Sequence, residues 1–155
     1  MADQPDFEVA AAHKYFSTHC FNKAWDLIER EYRTVEDEEE MLRLTLASHW
    51  HWTQREDYGP TNASIAHWQT SRVQAILGQA DEARRYGQLA LEASQEEGVP
   101  PFCLGYAYEA LARAEGVAEN HQEMEQYLRQ ARLVAEEIPD VETRKQLLAD
   151  LKSIR

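Results

Sequence analysis

The segment Gly78-Gln79-Ala80-Asp81-Glu82-Ala83, followed by Tyr86 and Ala90-Leu91-Glu92, constrains the fold of this chain more than any other. A glycine at the end of one helical run supplies a left-handed stop, and acids just beyond it suit the start of the next helix. Ala83 and Ala90 are seven residues apart, two helical turns, so they share one face. Small residues on that face let a second helix approach closely. The pattern therefore demands a tightly packed antiparallel helix pair. The rest of the chain agrees with it: there are only six glycines and five prolines among 155 residues, and Ala, Glu, Leu, Gln and Arg, which are strong helix formers, dominate. A chain of this length buries a sizeable core without disulfides or metals, and one domain spanning 1–155 is expected.

Punctuation along the sequence predicts about eight helices and no strands. The first runs from about Pro5 to Thr18 and the second from about Asn22 to Tyr32. Thr34 caps a long third helix whose first turn carries Glu36 to Glu40, acids that complement the helix dipole. That helix reaches about Asp57, and Tyr58-Gly59-Pro60-Thr61 breaks it. Asn62 caps the fourth, which ends at Gly78. Asp81 begins the fifth, which ends at Gly98. Pro101 sits in the first turn of the sixth, where its missing N–H costs nothing. Asn120 and Glu123 form a capping box for the seventh, and Asp140 caps a final helix reaching about Ile154.

These features resemble the tetratricopeptide (TPR) repeat in three stretches. Over residues 64–97, Gly78, Ala83, Tyr86 and Ala90-Leu91 fall at the turn glycine, packing alanine, aromatic and second alanine, while Thr70 and Ser71 stand at the usual Leu-Gly positions. Over 105–138, Tyr108, Leu111, Ala112, Tyr127, Leu128 and Ala131 match, with Met124 in place of the packing alanine and no turn glycine. Over 5–33, Ala12, Tyr15, Phe21 and Ala24 match and Glu31 does not. The spacing, 59 residues from Ala24 to Ala83 and 41 from Ala90 to Ala131, departs from the TPR period of about 34. The chain is also similar to small bacterial TPR-like proteins. The expected fold is a TPR-like antiparallel helical solenoid or compact bundle. The resemblance implies a non-enzymatic module that binds a protein or peptide. Arg72 and Arg113 occupy equivalent positions that face the groove in TPR domains, with His67 and Trp68 beside them. A planar guanidinium there reads a carboxylate well. Pairing of the two arginines with internal acids such as Glu109 is the alternative.

A formal net charge of −12 argues against nucleic acid, whose binding depends on neutralising phosphates, and against an anionic membrane surface. No apolar stretch approaches the ~20 residues of a membrane span. The start, Met1-Ala2-Asp3-Gln4-Pro5-Asp6, is acidic and lacks the apolar core of a signal peptide. Cys20 and Cys103 are unclustered and read as reduced thiols in a cytoplasmic protein.

Aromatic and imidazole groups concentrate in Ser48-His49-Trp50-His51-Trp52-Thr53-Gln54-Arg55, echoed by His67-Trp68. At about 100° per residue, Trp50 and Trp52 point to nearly opposite sides of their helix, which suits a helix sandwiched between neighbours. Folding the fourth helix back along the third brings Trp52 level with His67. His49, His51, Trp52 and Arg55 could then line a small-molecule pocket, or the rings could simply fill a helix seam. No metal or other cofactor is expected. His49 and His51 are splayed apart, whereas helical metal ligands are spaced by three or four; a set drawn from His13, His49 and His67 is the one arrangement left open. No catalytic residue is assigned: a nucleophile elbow and a phosphate-cradling glycine loop are both missing. Glu109 and Glu115 lie among apolar residues and are expected in surface salt bridges. In the last helix Leu147, Leu148, Leu151 and Ile154 form an apolar stripe. It either caps the preceding helix, through Leu128, Ala131 and Val134, or forms a two-fold homodimer interface.

Overall fold

Ser17, Cys20, Ala24, Leu27 and Ile28 are buried at three- and four-residue spacing, with no Gly or Pro among residues 9–28. That unbroken stripe makes one helix, α1 (Val9–Ile28), where two were expected over residues 5–32. The computed structural model describes residues 4–155, and among them are seven α-helices and no strand. The others are α2 (Val35–Thr53), α3 (Pro60–Ile76), α4 (Ala80–Ser94), α5 (Pro101–Val117), α6 (His121–Ala135) and α7 (Val141–Lys152). Two compact units divide after Gly59.

The first unit is the α1–α2 hairpin. Ser48 Oγ donates to the Ser17 carbonyl at 2.7 Å, and Arg30 pairs with Asp37 at 2.9 Å near the turn, so the helices run antiparallel. Thr34 accepts from the Asp37 N–H while the Asp37 side chain accepts from the Thr34 N–H. This closed capping box satisfies two N–H groups at the acidic start of α2.

The second unit contains two antiparallel hairpins, α3/α4 and α5/α6, followed by α7. Ser64 Oγ donates to the Ala90 carbonyl and Ser71 Oγ to the Ala83 carbonyl, which sets the register of α3 on α4. Ala83, Gly87, Ala90 and Ser94 are the buried face of α4. Gly87 lies so near Leu111 of α5 that an added Cβ would sit 3.0 Å from its Cδ2. A helix lined with small residues can thus be packed on both sides, by α3 and by α5. Ala83 has no exposed surface, and Ala83→Leu is expected to overpack this seam at a cost of about 1–3 kcal/mol in urea denaturation.

The turns after α3 and α5 share one hydrogen-bond pattern. Gln79 N–H bonds to the Gln74 carbonyl and Asn120 N–H to the Glu115 carbonyl, each five residues back. Gly78 takes φ +74° in the first turn, and Glu119 takes φ +58° in the second. Glu119 therefore stands where a glycine is favoured. Gly78 and Glu119, Arg72 and Arg113, and Ala90 and Ala131 are all 41 residues apart. Glu119→Gly should raise stability by about 1 kcal/mol, because a side chain in the left-handed region costs roughly that much; a lower denaturation midpoint would contradict it.

Several boundaries differ from expectation: α2 ends at Thr53, short of Asp57, and α4 ends at Ser94, short of Gly98. Pro60, with its fixed φ, starts α3 two residues before Asn62, and α4 begins at Ala80. Asn120 does not cap α6 with its side chain; it turns back to hydrogen-bond Glu115. Asp140 does cap α7, accepting from the Thr143 N–H at 2.8 Å. Leu147 and Leu151 of α7 are buried in a core with Met124, Leu128, Ala131 and Ile138, so the terminal stripe is covered within the chain. Among the described residues, no helix is long and apolar enough to cross a membrane.

Candidate functional site

Along the inner stripe of α3 and α5, residues at three- and four-residue spacing meet across the seam. Glu109 is fully buried and collects three donors. Trp68 Nε1 reaches Oε2 at 2.8 Å, Arg72 Nη1 reaches Oε1 at 2.9 Å, and Arg113 Nε bonds to the same Oε1 from one turn further along α5. A buried carboxylate is tolerable only when paired and hydrogen-bonded in this way. Arg113 also donates Nη2 to the Asp150 carbonyl and to Ser153 Oγ, at 3.1 and 2.7 Å. Tyr106 donates its hydroxyl to the Asp150 carboxylate at 2.9 Å. Burial, and then that carboxylate, push the Tyr106 phenol well above its ordinary value, so it remains a donor. The Trp68 and Tyr106 rings are 4.9 Å apart.

The guanidinium side chains of Arg72 and Arg113 retain 21% and 14% of their surface. Both edge an open cavity of about 290 Å³ whose other walls include Ile76, Val117, Ser153 and Ile154. The two arginines pair internally with Glu109, as one reading of the sequence had it, and they also line this cavity. His67 lies elsewhere, its ring 6.0 Å from that of Tyr86. Glu109 and Glu115 are buried, contrary to the surface placement expected of them. Glu115 pairs with Arg84 at 2.6 Å from α4, and that bond holds its carboxyl below the usual range. Long-range partners on neighbouring helices allow both acids to be internal.

In the first unit the tryptophan- and histidine-rich segment separates into distinct contacts. His51 Nδ1 lies 2.8 Å from His13 Nδ1, and Trp50 stands edge-on to both rings. Trp50 is 57% exposed, which corrects the expectation that its side of α2 is sandwiched; it lies over the small edge formed by the two imidazoles. His49 Nε2 lies 3.0 Å from the Tyr58 hydroxyl. Trp52 stacks under the Arg55 guanidinium, 3.8 Å from ring centroid to Cζ, and Arg55 is bidentate with Asp57. Arg55 edges a cavity with Lys14, Glu56 and Asp57. The ligand-pocket candidates thus face different partners. His13 was the residue the sequence did not offer as a partner for His51, since the pairing depends on the α1–α2 register.

His13 and His51 share one hydrogen bond between their rings. With Nδ1 facing Nδ1, one ring must donate and the other accept, so the bond fails when both are protonated. Burial, then the charge of His13, hold His51 below the ordinary value, and burial does so for His49. A histidine whose folded pKa is depressed binds fewer protons folded than unfolded. Stability should be level above about pH 6.5 and fall as pH drops from there toward the folded values. Denaturation midpoints between mildly acid and neutral pH check this, and His49→Gln combined with His51→Gln should flatten the curve.

Cys20 and Cys103 are both free and buried. Among the described residues, no three of His, Cys, Asp and Glu gather in a way that could hold a metal ion. No family model matches the sequence, no curated protein matches it significantly, and no solved structure does so either.

Proposed function

We propose that this chain is a non-enzymatic, TPR-like interaction module that holds a peptide or protein partner on the α3–α5 face of its second unit through Arg72 and Arg113. One observation carries the reading: two arginines 41 residues apart, in the leading helices of successive hairpins, converge on one buried acid and still edge a common cavity. Glu109 fixes their planes, so a partner carboxylate meets guanidinium groups that are already oriented. The alternation of α3/α4 and α5/α6, with α4 packed against both α3 and α5, supports the solenoid description of this unit over an irregular bundle.

Paired peptide arrays, identical except for a free or amidated C-terminal carboxylate, test the proposal. Peptides that bind the free form and lose about tenfold on amidation should lose a similar amount with Arg72→Gln, because a charge-assisted pair is worth about 1.5–3 kcal/mol. Binding indifferent to both changes, or no binding from any array member, would overturn the carboxylate reading. The Arg72 substitution leaves Glu109 paired with Arg113 and Trp68, so the folded state remains available for the measurement.

A further inference from the structure

The other end of the α3–α5 seam is apolar. Ser64, Ile65 and Trp68 of α3 and Phe102, Cys103 and Tyr106 of α5 line a half-open cavity of about 180 Å³. The polar ends of its walls are committed elsewhere: Trp68 Nε1 to Glu109, the Tyr106 hydroxyl to Asp150, and Ser64 Oγ to the Ala90 carbonyl. Burial pushes the Cys103 thiol up to about 11, so it is neutral at physiological pH. No ionised side chain lines the space.

A water molecule held inside a protein needs about two to four polar partners, and an apolar cavity of about 150 Å³ elsewhere stays dry and takes up benzene. This cavity is slightly larger, opens to solvent on one side, and has three aromatic side chains in its wall. Trp68 and Tyr106 are tethered by hydrogen bonds at their polar tips and pack against each other, which fixes the aromatic wall of the cavity. A charged ligand would be buried without a counter-charge, at a large cost. An aliphatic one would forgo the ring–ring contacts, worth about 0.5–1.5 kcal/mol beyond area burial.

We propose that this cavity is a binding site for a small, uncharged, single-ring aromatic molecule, taken up against the aromatic wall formed by Trp68 of α3 and Tyr106 and Phe102 of α5. The site is separate from the arginine-edged cavity and does not depend on the peptide reading. Its ligand is recognised by shape and ring contacts, with no charge involved.

Toluene is a suitable probe, with methylcyclohexane as a saturated control of similar size. Each is titrated into the full chain while the indole N–H resonance of Trp68 is followed by NMR, assigned by its loss in Trp68→Phe. Toluene should produce a saturable shift, roughly fivefold tighter than that of methylcyclohexane. Ile65→Trp, which fills the cavity from a half-buried wall position, should abolish the toluene shift while the other indole resonances keep their positions. Should that variant fail to fold, Phe102→Ala serves in its place: removing one ring should weaken toluene binding and admit naphthalene. Absence of a saturable toluene shift in the unmodified chain would overturn the proposal. So would equal affinity for the saturated control, or toluene binding unchanged in whichever of these variants folds. Any of these failures would leave the amidation-sensitive peptide test standing, because that test reads Arg72.

Discussion

Glu109→Ala should be the most damaging single substitution in this chain, with a loss of about 3–5 kcal/mol in urea denaturation. The carboxylate has no exposed surface and receives Trp68, Arg72 and Arg113. Removing it leaves two guanidinium groups side by side, mostly out of water, with no counter-charge between them. The pair's net worth is smaller than that loss, since desolvation offsets much of the attraction. Arg72→Ala should cost less, because Glu109 keeps two of its three donors. Domains of this kind have total stabilities of about 5–15 kcal/mol, so the alanine variant stands near the edge of folding. Glu109→Ala costing less than Arg72→Ala would show that the acid does not organise the network.

The second large effect concerns α7. Leu147 has no exposed surface and packs with Leu128, Ala131 and Ile138; Leu147→Ala should cost about 2–5 kcal/mol. The contact with α5 is equally tight at Gly105, where an added Cβ would lie 2.6 Å from Leu147 Cδ2. A chain ending at Pro139 would uncover Met124, Leu128 and Ile138 together, and its second unit should unfold. Sedimentation alongside far-UV circular dichroism reads both outcomes. A truncated chain that keeps its helicity and its mass would contradict the capping role. One that stays folded and falls from dimer to monomer would show an intermolecular role for the same helix.

The parts of the fold legible in the sequence are those written in short-range pattern. Gly78, Ala83 and Ala90 mark a turn and a packing face because sterics at those positions admit few alternatives. Thr34 and Asp140 mark helix starts because their side-chain oxygens accept N–H groups of the first turn. Asn22 has turn character, yet α1 runs through it, and the decisive signal is the continuous stripe from Ser17 to Ile28. Around the candidate site, the Glu109–Arg113 pairing follows from four-residue spacing on one helix. Trp68, Arg72, Tyr106 and Asp150 join it only through the packing of α3, α5 and α7, and no local pattern encodes that. Glu119 shows the limit in the other direction. Its turn matches the one at Gly78 in hydrogen bonding, yet the residue usually diagnostic of such a turn is absent.

Helix α3 is buried chiefly through Ser64, Ala66, Gln69, Thr70, Ser71 and Val73, and two of its hydroxyls bond to carbonyls of α4. Most helices held in a seam would expose a greasy stripe on detaching, and sub-global openings of that kind seed aggregation. Were α3 to lift from α4, it would show water mostly hydroxyl, amide and methyl groups. The same hydrogen bonds make its return directional, since a slip by one turn leaves both serines without their carbonyls. The face that α3 presents to α4 thus owes its register to two serine hydroxyls more than to apolar bulk.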